Sequence, residues 1–216
     1  MRVQVPEVEA REDGGVTDPA DAAAPPATRR AGGLRWLRDL VVIVLVALLL
    51  SWGVRTFLVR SFFIPSASME QTLLIGDRIL VNELVPGVVD LHRGDVVVFE
   101  DPGGWLTAGE GDDLVKRVIG LPGDTVSCCD AEGRLLVDGE PLDEPYLGVP
   151  EGDPASLTPF DVTVPEGALW VMGDNRERSA DSRSHVTGPY EGFVPLDHVV
   201  GRATVVFWPL GRWAVL

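Results

Sequence analysis

From Leu40 to Val54 the chain reads LVVIVLVALLLSWGV, fifteen residues without a formal charge, bracketed by Asp39 and Arg55. As a helix this run spans only about 22 Å, short of the roughly 30 Å of a hydrocarbon core. Extension to Val59 gives twenty residues, with Arg55 near one end, where its long stem lets the charge reach the interface. Trp36 and Trp52 are suited to anchoring the two interfaces. Three structures satisfy such a run: a cleaved secretory signal, a buried core helix, or a retained membrane anchor. A cleaved signal has a shorter leader and small residues at its cleavage position, whereas 39 residues precede this run and it continues as SWGVRTFLVR. A core helix shows polar positions. The retained anchor is the expectation.

The anchor divides the chain. Residues 1–33, rich in Ala, Pro, Asp and Glu, have no apolar periodicity and read as a disordered tail. Arg29, Arg30, Arg35 and Arg38 closely precede the run, so the positive-inside rule places that tail in the cytoplasm. Residues 34–60 form the anchor and residues 61–216 an external domain. Of the formal charge of −15, essentially all belongs to this last part, which holds 10 basic and 26 acidic residues after position 60. A nucleic-acid groove needs a basic face, so nucleic acid is excluded as a partner. The basic residues are seventeen Arg and a single Lys, Lys116.

The external part reads as mainly β. Short apolar runs recur between Gly, Pro and Asp punctuation: RILVNELV, GDVVVFE, DLVKRVIG, DTVSC, RLLV, FDVTV, ALWVM and GRATVVFW. No segment after residue 60 has helical period, and Asp138-Gly139 signals a tight hairpin. Polar stretches at 101–112 and 143–159 read as surface loops or lids. The expected fold is therefore coiled antiparallel sheets or a partly closed barrel. Adjacent Cys128 and Cys129 cannot staple distant segments, and the geometry a bridge prefers favours two strand thiols over a vicinal disulfide. Their spacing makes no zinc site, and His92, His185 and His198 are scattered, so no metal and no cofactor is expected. Nothing in the sequence signals an oligomeric state.

Three segments carry chemistry. In SFFIPSASMEQTLLIGD, Ser66 and Ser68 stand two apart, so on an extended chain both hydroxyls face one side. A Ser-rich turn leaving the bilayer is the bland alternative. Serine needs a base to become a nucleophile, and no His lies in a site-like segment. Lys116 lies in DLVKRVIGLPGD, where apolar neighbours can bury its amine, lower its pKa and leave it neutral. An exposed lysine paired with an acid is the alternative. In VMGDNRERSADSRSH, the residues Asp174, Asn175, Arg176, Ser179, Asp181 and Arg183 are dense enough to form a loop network that satisfies itself, with a solvated loop capping a strand as the bland alternative, and such density near a sheet end also suits the support of an active site.

Together, in order and after an anchor, these segments resemble the bacterial type I signal peptidases, membrane-bound serine proteases that remove signal peptides from exported preproteins. The resemblance rests on IPSASM at 64–69, GDVVVF at 94–99, KRVIGLPGD at 116–124 and GDNRERSADSR at 173–183, and runs from about residue 35 to the C-terminus. It implies that Ser68 is the nucleophile and Lys116 the general base. It further implies that the Ser66 hydroxyl and the Ser68 N–H form the oxyanion hole, that Ser179 orients the lysine amine, and that Asp181 and Arg183 are a supporting ion pair. The implied partners are signal peptides with small residues at −1 and −3 and the lipid bilayer. The implied location is the cell membrane, single-pass, with the catalytic domain extracytoplasmic. Phe62, Phe63 and Trp208 are the residues expected to dip into the bilayer.

The chain departs from the family pattern at Gln71, where Pro is usual and whose loss is expected to loosen the turn behind the nucleophile. Arg178 replaces the common Asn, and SHVTGPYEGFVP lengthens a link. A LexA-like self-cleaving protease also pairs Ser with Lys but lacks an anchor. From another class, an anchored β-rich binding protein would use both residues structurally.

Overall fold

The computed structural model describes residues 31–107, 111–147 and 154–216. The expected tail lies almost wholly outside them, as do Arg29, Arg30 and parts of both long loops. Helix α1 (Ala31–Phe57) contains the apolar run, and its stretch Arg35–Gly53 has a mean hydropathy of 1.9 with its side chains exposed. Among the described residues this is the one helix long and apolar enough to cross a membrane. It ends at Phe57 rather than carrying on through Val59. Arg60 and Ser61 interrupt the apolar run, and Val59–Phe63 instead forms a strand.

The rest of the described chain is antiparallel β. Its strands are β1 (Val59–Phe63), β2 (Arg78–Asn82), β3 (Val96–Glu100), β4 (Asp113–Gly120), β5 (Thr125–Cys128) and β6 (Leu135–Val137). They continue with β7 (Glu140–Pro141), β8 (Phe160–Thr163), β9 (Ala168–Met172), β10 (Val194–Pro195), β11 (Val199–Trp208) and β12 (Ala214–Val215). All eight runs expected to be strands are strands. The larger sheet runs β1-β2-β11-β3-β4-β9-β10, with β12 on β11, and the smaller runs β7-β6-β5-β8. The large sheet does not close into a barrel, since β1 and β10 remain its ends.

Alternation explains why the central strands read as continuous apolar runs. On β3, Val96 and Val98 enter one core with Ile79, Val81 and Met69, while Val97 and Phe99 enter another with Leu169 and Val171. On β9, Trp170 and Met172 point into a third core shared with Val126, Leu135 and Val137 of the small sheet. Both faces of these strands are covered, so both sets of alternate residues are apolar. At the junction of the two sheets stands Gly120, where any Cβ would collide with Val126 and Val164. The hairpin at Asp138-Gly139 has φ of 54° and 82° at its two turn residues, the left-handed pair that a tight two-residue connection requires.

Cys128 and Cys129 are joined as a disulfide, contrary to the expected thiols. The expectation rested on the geometry a bridge prefers, which neighbours on the opposite faces of a regular strand do not offer. β5 ends at Cys128, and the chain enters a turn organised by the Asp130 carboxylate, which accepts from the N–H of Glu132 and Arg134. Both sulfurs therefore face one place, the carbonyl of Ser156.

Candidate active site

Ser66 and Ser68 lie on the connection between β1 and β2, which is not extended as the sequence suggested but folds into turns. Those turns are closed by Glu70 N–H to Ala67 O and by Thr72 and Leu73 N–H to Met69 O. Met69 and Leu73 drop into the core and fix the turns. Gln71 has a φ of 101°, a conformation closed to proline, whose φ is locked near about −65°. The turn behind Ser68 is thus hydrogen-bonded and not loosened, and its backbone at position 71 is one that proline does not adopt. The two hydroxyls still converge, Ser66 Oγ lying 3.4 Å from Ser68 Oγ.

β4 brings Lys116 to the same point. Its Nζ lies 2.8 Å from Ser68 Oγ and donates to Val115 O at 3.1 Å. The residue is only 4% exposed. Burial pushes the amine from 10.5 down to about 8, against the opposing pull of the Asp181 and Asp174 carboxylates. With the amine neutral, the donor role reverses and the Ser68 O–H donates to Nζ.

The segment after β9 supports this pair, but it is not the self-satisfied network the sequence suggested. Among the described residues its one internal ion pair is Asp181 with Arg183, through two contacts of 2.8 Å, beside hydrogen bonds from Arg176 to Gly173 O and from Arg183 to Arg176 O. Asp174 is paired by Arg117 of β4 at 2.8 and 2.6 Å and also accepts from Thr72, in the turn after Ser68. Arg117 further donates to Gly94 O and lies 3.8 Å beneath the Tyr146 ring. Arg176 pairs with Glu144, which also accepts from the Tyr146 hydroxyl. Burial beside Glu144 pushes that phenol well above its ordinary range. Asn175 N–H donates to Ser68 O, and its side chain donates to Ala67 O and Glu70. Beyond these internal contacts, the polar residues of this segment clamp the turn that carries Ser68, β4 and the 144–146 segment together.

Glu144 and Tyr146 were missed because DEPYL reads as surface loop. The one available signal was an aromatic ring among acids. Ser179 has its Oγ buried with no hydrogen-bond partner among the described residues, so in this state it does not hold the lysine amine. It packs at Gly173, where a Cβ would collide with both the Ser68 carbonyl and the Ser179 side chain. We expect Gly173→Ala to lower stability by about 1–3 kcal/mol through this overpacking, read by thermal denaturation. The same change should displace Ser68; parental stability would show that the contact yields. Among the described residues no group of His, Cys, Asp and Glu side chains is placed to hold a metal ion.

Residues 37–208 match the family described as "Signal peptidase, peptidase S26". The chain belongs to that family. It is 37% identical over 227 residues to signal peptidase I of Mycobacterium tuberculosis, covering 83% of this chain and 75% of the relative. It is 36% identical to the probable signal peptidase I of Mycobacterium leprae (99% and 86% covered) and 35% identical to signal peptidase I U of Bacillus subtilis (82% and 91%). A solved signal peptidase I from Enterococcus faecalis V583 is 35% identical with a TM-score of 0.41, covering 53% of this chain and 97% of that one. As a member of this peptidase family the chain is a hydrolase of the serine type, and the spanning-length apolar helix among the described residues fits the family's association with membranes.

Proposed function

We propose that this S26 peptidase is a type I signal peptidase that cuts exported preproteins after small residues at −1 and −3, using Ser68 as nucleophile and Lys116 as general base. The observation that carries this reading is a buried amine at about 8, placed 2.8 Å from a serine hydroxyl. Neutral Lys116 takes the Ser68 proton as Oγ attacks the scissile carbonyl. The developing oxyanion is met by the Ser66 hydroxyl and the Ser68 N–H. The amine then protonates the leaving nitrogen of the mature protein, and after that it activates the water that hydrolyses the acyl-enzyme. The unspent hydroxyl of Ser179 turns to the amine when substrate is bound, and the Asp181–Arg183 pair holds that arrangement from behind.

The helix tethers the enzyme and its substrate to one bilayer, which raises their effective concentration and fixes the cut at membrane height. The basic flank with Arg35 and Arg38 puts the N-terminus in the cytoplasm and the catalytic domain outside. Phe63 and Trp208 lie exposed opposite Arg78 at one end of β1, β2 and β11, and Leu210, Trp213 and Val215 are exposed nearby in sequence. This apolar end meets the bilayer. Phe62 does not take part, since it packs against the core.

The test is cleavage of a preprotein with Ala at −1 and −3 by the full chain in proteoliposomes, with the mature N-terminus sequenced and the rate followed from pH 6 to 10. We expect a cut after the −1 residue and a rate that rises with pH to half its maximum near 8, because the protonated amine cannot accept the serine proton. Absence of product across that range, or a rate that climbs on acidification, would sink the reading.

A further inference from the structure

Cys128 and Cys129 take no part in the chemistry above, yet they are wired to it. Their sulfurs lie 3.5 and 3.8 Å from the carbonyl oxygen of Ser156. The Ser156 side chain accepts a hydrogen bond from Arg183 Nη1 at 3.2 Å, and the preceding carbonyl, of Ala155, accepts from Arg176 at 3.1 Å. Arg183 in turn neutralises the fully buried Asp181 beside the Gly173 N–H. Residues 155 and 156 are thus the joint between the cysteine turn and the two arginines of the active-site segment. The cysteines are half-buried, and they line a surface pocket of about 340 Å³ with Gly133, Pro154, Ser156 and Leu157. A thiolate therefore has a way in.

We propose that the Cys128–Cys129 disulfide is a thiol-exchange site, taking a dithiol reductant as its substrate, and that its reduction turns the peptidase down through Ser156, Arg183 and Asp181. In the exchange, a thiolate of the reductant bonds to one cysteine sulfur as the Cys128–Cys129 bond breaks, and the released sulfur takes up a proton. The reductant's second thiolate then attacks the mixed disulfide. The reductant leaves as a disulfide, and two electrons and two protons have passed to the cysteines.

Geometry makes the consequence directional. Bonded sulfurs carry no proton for the Ser156 carbonyl, whereas a thiol donates to it. Unbonded sulfurs also stand well over an ångström further apart than bonded ones, and both abut that carbonyl, so Ser156 must move. Moving it removes one of the contacts that hold Arg183 against Asp181. The charged groups that bear on Lys116 are Asp181, countered by Arg183, and Asp174, countered by Arg117. A less neutralised Asp181 holds the proton on Lys116 to higher pH, so less base is available at neutral pH.

The proposal rests on the peptidase reading, and the test separates the two because this chain has one lysine. The full chain is labelled with ε-¹³C-lysine, and the single resonance is titrated with and without dithiothreitol. Phenylarsine oxide, which bridges paired thiols, reports reduction by mass. We expect arsenical capture only after reduction and a lysine midpoint raised by about half a unit or more. We also expect a fall in preprotein cleavage at pH 7 of about 2- to 30-fold, reversed on reoxidation. The double variant Cys128→Ser, Cys129→Ser, whose hydroxyls donate as thiols do, should show the reduced midpoint regardless of dithiothreitol. A midpoint unmoved by reduction, or no arsenical capture from the folded protein, overturns the proposal whatever the peptidase assay shows. An inactive enzyme with a moving midpoint overturns only the peptidase reading.

Discussion

Lys116→Met should abolish turnover and make the protein more stable at neutral pH. The loss should be about 10³-fold or more, since in the proposed mechanism Lys116 is the base for Ser68, and among the described residues no histidine hydrogen-bonds to Ser68. The gain follows from burial. The amine titrates at about 8 in the folded protein against an ordinary 10.5, so below pH 8 both folded and unfolded chains carry the proton and the folded state bears the full desolvation penalty. That penalty corresponds to about 3 kcal/mol, reduced by the hydrogen bonds the amine makes. Between 8 and 10.5 the folded amine is neutral while the unfolded one is charged, so the parent becomes more stable as pH rises. Above that window the two amines are alike. Methionine, apolar and of similar length, removes the penalty. Denaturation at pH 6, 8 and 10 should show the variant ahead at pH 6 and its lead nearly gone at pH 10. A variant less stable than the parent at pH 6 would mean the amine is not penalised, and residual turnover would mean another base.

The same burial shows why much of this protein was legible in its sequence. A lone lysine in DLVKRVIG stands out because Leu114, Val115, Val118 and Ile119 surround it and Arg117, and β4 is buried on both faces. The eight strands were readable for the same reason, each a short apolar run closed by Gly, Pro or Asp. What the sequence hid were features of long range. Arg117 pairs with Asp174 across 57 residues and Arg176 with Glu144 across 32, and no local pattern says which acid will meet which arginine. The loop therefore read as satisfying itself. β1 was hidden by proximity to the anchor, since VRSFF adjoins an apolar run and becomes a strand only by pairing with β2. The disulfide was hidden because its formation depends on where β5 stops.

Asp181→Asn should destabilise the fold by about 3–5 kcal/mol while moving the pH profile in the opposite sense from reduction of the cysteines. The Asp181 carboxylate is completely buried and accepts from Arg183 Nε and Nη2, from the Arg183 N–H, and from the Gly173 N–H at 3.0 Å. An amide offers one acceptor atom and turns an N–H toward the remaining donors, leaving the guanidinium uncompensated. Electrostatics alone would then help catalysis at neutral pH. Loss of a carboxylate that holds the proton on Lys116, and exposure of a bare arginine charge, both favour the neutral amine, so the midpoint should fall below about 8. Geometry acts against this. Gly173 is held by the same carboxylate and abuts the Ser68 carbonyl and Ser179, so freeing it loosens the nucleophile. We expect the plateau rate to drop about 10-fold or more even as the midpoint shifts toward acid. A shifted midpoint with an undiminished plateau would assign Asp181 a purely electrostatic part, and a diminished plateau at an unmoved midpoint would show that its charge does not reach Lys116. Only the combined outcome makes it both the counter-charge and the positioning residue of the proposed dyad.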